Sequence, residues 1–297
     1  MKILLLGKNG QVGWELQRAL APLGELVSLD RNVIDGLCGD LANLSEREKT
    51  VLAIQPDVIV NAAAYTAVDK AESEQVLAQL INTEAPRLLG KLCKQLNALF
   101  VHYSTDYVFN GSGGTPWLEG QEISPLSVYG LTKAMGEKAI QGSGCRHLIF
   151  RTSWVYSSKG NNFAQIMLRL AMDRETLNVI SDQVGAPTGA ELIADITAQV
   201  IPRALVTSGC SGIYHLAASG ETSWHGYAVY VIDQARNMGK TLRVAQINAI
   251  PTTEYPTPAE RPLNSRLNCT KLNKKFGLHL PHWKSGVDRM LQETQGS

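Results

Sequence analysis

A chain of 297 residues is long enough for one large core or two modest ones, and 44% hydrophobic with 19% charged residues describes an ordinary globular protein. The net charge of +1 excludes the strongly basic surface that nucleic acid or an anionic membrane would call for, and no apolar run approaches the roughly 18 residues of a membrane span. Five scattered cysteines (Cys38, Cys93, Cys145, Cys210 and Cys269) form no CxxC or Cys/His cluster, so they predict reduced structural thiols in a cytoplasmic protein.

In chain order, Lys2 to Leu6 reads as a buried strand, Gly7, Gly10 and Gly13 as a tight turn, and Val12 to Leu23 as an amphipathic helix. The apolar start imitates a signal peptide but stops at Gly7-Lys8-Asn9, short of a usable hydrophobic region. A strand, a glycine turn and a helix N-terminus together suit a pyrophosphate. Glycines let the backbone approach the phosphates, and free amides with the helix dipole favour the negative charge. The spacing is GxxGxxG, not GxGxxG, and its position at the start of a βαβ pattern gives it weight. Candidate cofactor residues in this turn are Gly7, Asn9, Gly10, Gln11, Val12 and Gly13.

Further strands are predicted at Leu26 to Asp30, Asp57 to Asn61, Leu99 to Ser104 and His147 to Thr152, with helices at Glu74 to Asn97 and Leu126 to Gln141 between them. Near-continuous apolar strands separated by helical crossovers predict a doubly wound parallel sheet of Rossmann type. Asp30, at the end of the second strand, can accept from an adenosine ribose, which favours NAD; Arg31 beside it can pair with a 2′-phosphate, which favours NADP. Asp40 and Leu41 lie where a third loop meets the adenine, and small residues at Asn61-Ala62-Ala63-Ala64 let a cofactor lie flat against the sheet edge.

The second half is less regular. Helices are predicted at Asn162 to Ala171, Ala190 to Ala204 and Lys284 to Gln292, with a strand at Ile213 to Leu216 that could return to the main sheet. Ile250 to Pro262 is proline-rich, lacks a helical period and reads as a functional loop. The expected organisation is a dinucleotide-binding domain over 1–155, completed by parts of 190–220, and a smaller interleaved substrate lobe within 156–297.

Tyr129 and Lys133 form a YxxxK pattern on one face of a predicted helix. A lysine beside a tyrosine favours phenolate, and a phenol so tuned can protonate a developing alkoxide. The pattern follows a strand ending in Ser104-Thr105-Asp106, where ligands bind in such sheets. Alternation sends Ser104 and Thr105 to opposite faces, so only one of the two hydroxyls can serve.

With these residues the chain resembles the extended branch of the short-chain dehydrogenase/reductase family, which carries a Ser/Thr, Tyr, Lys triad on this fold. NAAAYTAVDKAE at 61–72, HYSTDYVFNG at 102–111, SVYGLTKAMGEKA at 127–139, DQVGAPTGAEL at 182–192 and TEYPTPAERPLNSRLN at 253–268 resemble its nucleotide-sugar reductases over almost the full length. The resemblance implies reduction, by NADPH or NADH, of the C4 keto group of a dTDP-linked 4-keto-6-deoxy sugar, to a sugar donor for surface polysaccharide of O-antigen type. It assigns Tyr129 as proton donor, Lys133 to the nicotinamide ribose and Thr105 to the reacting oxygen. It adds cofactor contacts at Ala63, Ala64, Tyr65 and Tyr103, and substrate contacts at Thr105, Asp106 and Trp154. Arg261 or Arg266 is the candidate for the diphosphate. Mg²⁺ and a homodimer are associated with the family, although the scattered glutamates nominate no ligand set. A non-catalytic regulatory subunit is the rival reading, and the intact Thr105, Tyr129 and Lys133 argue against it.

Overall fold

The computed structural model describes residues 1–294. Its centre is a six-stranded sheet of β1 (Lys2–Leu6), β2 (Glu25–Leu29), β3 (Val58–Asn61), β4 (Leu99–Thr105), β5 (Arg146–Thr152) and β6 (Gly212–His215). The strand order is β2-β1-β3-β4-β5-β6 and every pair is parallel. The predicted Rossmann-type sheet is therefore present, and the predicted returning strand is its sixth member.

Both faces of the sheet are covered, which is why its strands lack a polar alternation. Ile3 and Leu5 enter one core with Val58, Val60, Leu99 and Val101, packed against Leu16 and Leu20 of α1 (Gln11–Leu20) and Ile193, Val200 and Ile201 of the helix Ala190–Val206. Leu4 and Leu6 enter the other with Ile59 and Phe100, against α2 (Leu44–Ile54), α3 (Ala85–Leu96) and Ile140 of α4 (Val128–Gly142). Because every strand runs the same way, Gly7, Leu29, Asn61, Thr105 and Thr152 all lie at one edge. The winding reverses between β1 and β3, the place where such sheets open a ligand crevice.

The segment expected as one helix from Glu74 to Asn97 is broken into a short α-helix at Gln75–Gln79, a π turn at Leu80–Glu84 and α3. Pro86 explains the break, because it has no N–H to donate to the carbonyl one turn back. After β5 the chain builds smaller pieces. A parallel pair joins Thr176–Ile180 to Gln246–Ile250, and the helices Phe163–Asp173 and Trp224–Asn237 pack over it. The Trp224–Asn237 helix and the strand pair had no sequence expectation. Among the described residues no helix is long and apolar enough to cross a membrane.

Candidate active site

At the glycine turn, Gly7 adopts φ 87° and its amide donates to Leu29 O at 2.9 Å, tying the turn to the end of β2. A Cβ at Gly13 would stand 2.0 Å from Gly7 O, so the third glycine is what lets α1 start so close to β1. Gly10 caps α1 without any side-chain hydrogen bond, and the first turn holds no acidic residue. The amides at this N-terminus suit a pyrophosphate, which meets the fit a dinucleotide requires. Val12 packs on the core and Gln11 Oε1 accepts from Ser157 Oγ at 3.3 Å, so their side chains are held by the protein and their amides face the turn. Asp30 Oδ2 accepts from Asn9 Nδ2 at 2.5 Å and Oδ1 from Asn32 N at 2.8 Å, while Arg31 is exposed beside it. Asp40 closes its own loop by accepting from Ala42 N at 3.1 Å.

The catalytic candidates meet at the end of β4. Ser127 caps α4 by accepting from Gly130 N at 3.2 Å, which fixes the turn that carries Tyr129. The Tyr129 ring meets Tyr107 edge-on at 5.6 Å. Burial pushes its hydroxyl up to about 12, a hydrogen bond with Thr105 opposes this, and the Asp106 charge adds to it. Thr105 Oγ1 accepts from Tyr107 N and donates to Asp106 Oδ1, both at 3.1 Å. Ser104 points the other way and donates to Glu137 Oε1 at 2.5 Å. The alternation argument thus resolves to Thr105.

Lys133 departs from expectation. Its buried ammonium group donates to Tyr103 O at 2.5 Å and lies 3.3 Å from His102 Nε2. Burial lowers it to about 8, against a smaller opposing effect of Glu137. The phenol is raised, not lowered, and Lys133 is not among the groups that move it.

Asp106 is almost fully buried, its Oδ2 has no hydrogen-bond partner, and burial raises its carboxyl to about 6. A carboxyl that holds its proton more tightly when folded favours folding below about pH 4 and loses that contribution as pH rises through its folded value. Asp106→Asn is therefore expected to stabilise the protein at pH 8 by up to about 3 kcal/mol and to do little near pH 4. Denaturant titrations at the two pH values check this, and an equal effect at both would contradict it.

The chain as a whole is similar to known proteins. A family model described as RmlD substrate binding domain matches residues 1–295. The chain belongs to that family. It is 58% identical over 293 residues to dTDP-4-dehydrorhamnose reductase of Salmonella typhimurium, covering 99% of this chain and 98% of the relative. A crystal structure of a dTDP-4-dehydrorhamnose reductase from Clostridium acetobutylicum superposes with a TM-score of 0.90 at 33% identity, covering 99% of this chain and 100% of the other. One from Bacillus anthracis, in complex with NADP, gives 0.87 at 32% identity and 99% coverage of both chains.

Within this RmlD-family chain several expected contacts need correction. The Tyr103 side chain points away from the crevice, its hydroxyl 2.8 Å from Thr197 Oγ1, so only its carbonyl lies at the site. Leu41 is a core side chain and can offer only backbone. Tyr65 donates its hydroxyl to Glu74 Oε2 at 2.7 Å, and its backbone is bracketed by Asn82, whose Oδ1 accepts from Tyr65 N and whose Nδ2 donates to Tyr65 O. Ala63 and Ala64 stand at the end of β3 as expected, with Ala63 against Gly7.

Trp154 has φ 48°, strained for so bulky a residue, and its ring stacks on Trp224 at 3.6 Å. One face of the ring expected to meet a hexose is thus covered by protein. Arg261 donates to Asp69 Oδ2 at 2.8 Å and its charge reaches Tyr107, which brings the proline-rich loop beside the ring that Tyr129 meets edge-on. Arg266 pairs with Glu221 at 3.2 Å, so it is held by a surface carboxylate. Sequence reasoning missed Asn82, His102 and Glu137. Only Asn82 had a local signal, the Pro86 that widens its turn. It also missed the loop at 157–162, where Lys159 Nζ sits 3.1 Å above the Trp14 ring and Asn162 Nδ2 donates to Gln11 at 3.4 Å. No group of three or more His, Cys, Asp or Glu among the described residues is placed to hold a metal ion. The five cysteines are free, and burial pushes the Cys93, Cys145 and Cys269 thiols up.

Proposed function

We infer that the chain reduces the C4 keto group of dTDP-4-dehydro-L-rhamnose (dTDP-6-deoxy-L-lyxo-4-hexulose) to give dTDP-β-L-rhamnose, using NADPH or NADH. The observation that carries this reading is the meeting of Thr105 and Tyr129 at the carboxyl end of β4, on the same sheet edge as the uncapped N-terminus of α1. The names of the 58% identical relatives supply the substrate, and the complex with NADP supports the cofactor.

When bound, the reduced nicotinamide supplies the hydride. The residues to hold the cofactor are the amides of Gly10 to Gly13, the carboxylate of Asp30, the Asp40 loop and the backbone of Ala63 to Tyr65. Thr105 orients the C4 oxygen, and Tyr129 gives its hydroxyl proton to that oxygen as charge develops. A phenol held at about 12 is fully protonated at neutral pH, which is the state a proton donor needs. Asp106 and Thr105 bracket the sugar, while Arg261 is the better placed of the two arginines for the diphosphate because it borders Tyr107. Residues 156–297 supply most of the substrate lobe in this reading, and the reaction takes place in the cytoplasm, where free thiols persist.

The test is consumption of NADPH with the 4-keto sugar generated in the cuvette from dTDP-glucose by upstream enzymes. Oxidation that needs the complete mixture, with rhamnosyl nucleotide as product, is the expected result. Absence of turnover with both NADPH and NADH, despite measurable cofactor binding, would overturn the assignment.

A further inference from the structure

The loop at 157–162 leaves the short strand Val155–Tyr156 and runs back to the N-terminus of α1, and none of the cofactor contacts named above uses it. Both of its flanks are fastened to Gln11, the first residue of that helix. Ser157 Oγ donates to Gln11 Oε1 at 3.3 Å, and Asn162 Nδ2 donates to the same oxygen at 3.4 Å. Asn162 Nδ2 also reaches Ser157 O at 2.7 Å, while its Oδ1 caps the helix Phe163–Asp173 by accepting from Gln165 N at 3.3 Å. Between these anchors the backbone turns at Gly160, with φ 85°, and a Cβ there would stand 3.6 Å from Gln11 Cγ. The loop is thus tied down on the glycine turn, and Lys159 lies at its middle.

Lys159 is exposed, and its Nζ stands 3.1 Å above the Trp14 ring. Helical side chains lean toward the N-terminus, so Trp14 carries the ammonium back over the turn that begins at Gly10. No carboxylate among the described residues pairs with it. Glu15, next to Trp14 in the chain, is engaged by Arg18 at 3.6 Å. A cation beside the positive end of a helix whose first turn holds no acid is unfavourable until an anion arrives. The anion that suits this end is a pyrophosphate, and the superposed reductase from Bacillus anthracis is a complex with NADP.

We propose that Lys159 is a cofactor-binding residue, resting on Trp14 in the free protein and donating from Nζ to a pyrophosphate oxygen once the dinucleotide is bound. This rests on the dinucleotide reading of the glycine turn. A compact charge on a flexible stem is suited to such a move, and a charge-assisted bond to phosphate is stronger than an exposed cation–π contact. The other phosphates of the reaction lie elsewhere in that reading. A 2′-phosphate sits with Arg31 beyond the end of β2, and the sugar diphosphate with Arg261 beside Tyr107.

The test is binding, measured by calorimetric titration of the full chain without turnover. Lys159→Met is expected to weaken ADP-ribose, NADH and NADPH by one common factor of about tenfold, the scale of a charge-assisted hydrogen bond. Lys159→Arg keeps the charge and should recover most of the loss. High salt should shrink the difference between wild type and Lys159→Met, because an exposed pair is screened. A loss for NADPH alone would put the lysine at the 2′-phosphate and overturn the proposal. So would a loss confined to dTDP, titrated into protein saturated with NADPH, or unchanged binding of all four ligands.

Trp14→Leu separates charge from anchorage. It frees the ammonium from the ring, so affinity for ADP-ribose is expected to hold or rise. A loss equal to that of Lys159→Met would assign the effect to the fastening of the loop and overturn the proposal. Failure of the two readings is distinguishable. A wild type that binds no ADP-ribose defeats the dinucleotide reading and this proposal together, whereas binding that ignores Lys159→Met defeats this proposal alone.

Discussion

Tyr129→Phe should lower kcat by about 10²- to 10⁴-fold, the range over which a positioned general acid acts, while the dissociation constant for NADPH stays within a few-fold of wild type. The separation follows from where the hydroxyl is committed. Its neighbours are Thr105 and Asp106, at the end of β4, whereas the pyrophosphate amides lie at the start of α1. The phenylalanine ring keeps the edge-on contact with Tyr107 at 5.6 Å, so α4 has no reason to shift. Single-turnover oxidation of NADPH with saturating sugar, beside a fluorescence titration of the cofactor, separates the two effects. Retention of more than a tenth of wild-type turnover would mean that the proton comes from elsewhere, with Asp106 as the next group to examine because burial holds its carboxyl at about 6.

The fold was legible in the sequence because its strands are buried on both faces, which writes them as unbroken apolar runs such as Ile3 to Leu6 and Val58 to Val60. The glycine turn was legible for a similar reason: the approach of Gly13 to Gly7 O leaves no room for a Cβ, so the residue type reports the geometry. Illegible features depend on partners far away in the chain. His102 looks like any strand residue until Asn61 and Lys133 are placed on either side of it. Trp154 has one face of its ring covered by Trp224, on a helix with no sequence expectation.

Tyr103 is the instructive error, since alternation was available to correct it. His102 and Ser104 turn toward α4, so Tyr103 between them must face the helix Ala190–Val206, where Thr197 meets its hydroxyl. The alternation that separates Ser104 from Thr105 also puts Tyr103 on the face away from α4.

Arg151→Met should destabilise the protein by about 3–5 kcal/mol, while Arg151→Met combined with Glu137→Leu should recover most of that loss. The pair is more enclosed than any other ion pair among the described residues, its side chains 3% and 1% exposed. Arg151 reaches Glu137 through two nitrogens at 2.6 and 2.9 Å, donates to Glu119 O at 3.3 Å and lies 5.0 Å from the Phe109 ring centroid. Removing the cation alone strands a carboxylate that only Ser104 can solvate. Removing both charges leaves an apolar space beside Phe109, itself stacked on Trp117 at 4.5 Å, which methionine and leucine can fill.

Chemical denaturation of the wild type, the two single variants and the double variant closes the cycle. Equal losses in the single and double variants would assign the cost to packing instead of charge. The double variant should also carry a functional signature. With Glu137 gone, Lys133 loses a carboxylate that favours its ammonium form, so its midpoint should fall below about 8 even as the protein regains stability. The pair as a unit is thus close to neutral for stability, and it lies one turn along α4 from the lysine whose ammonium form the carboxylate favours.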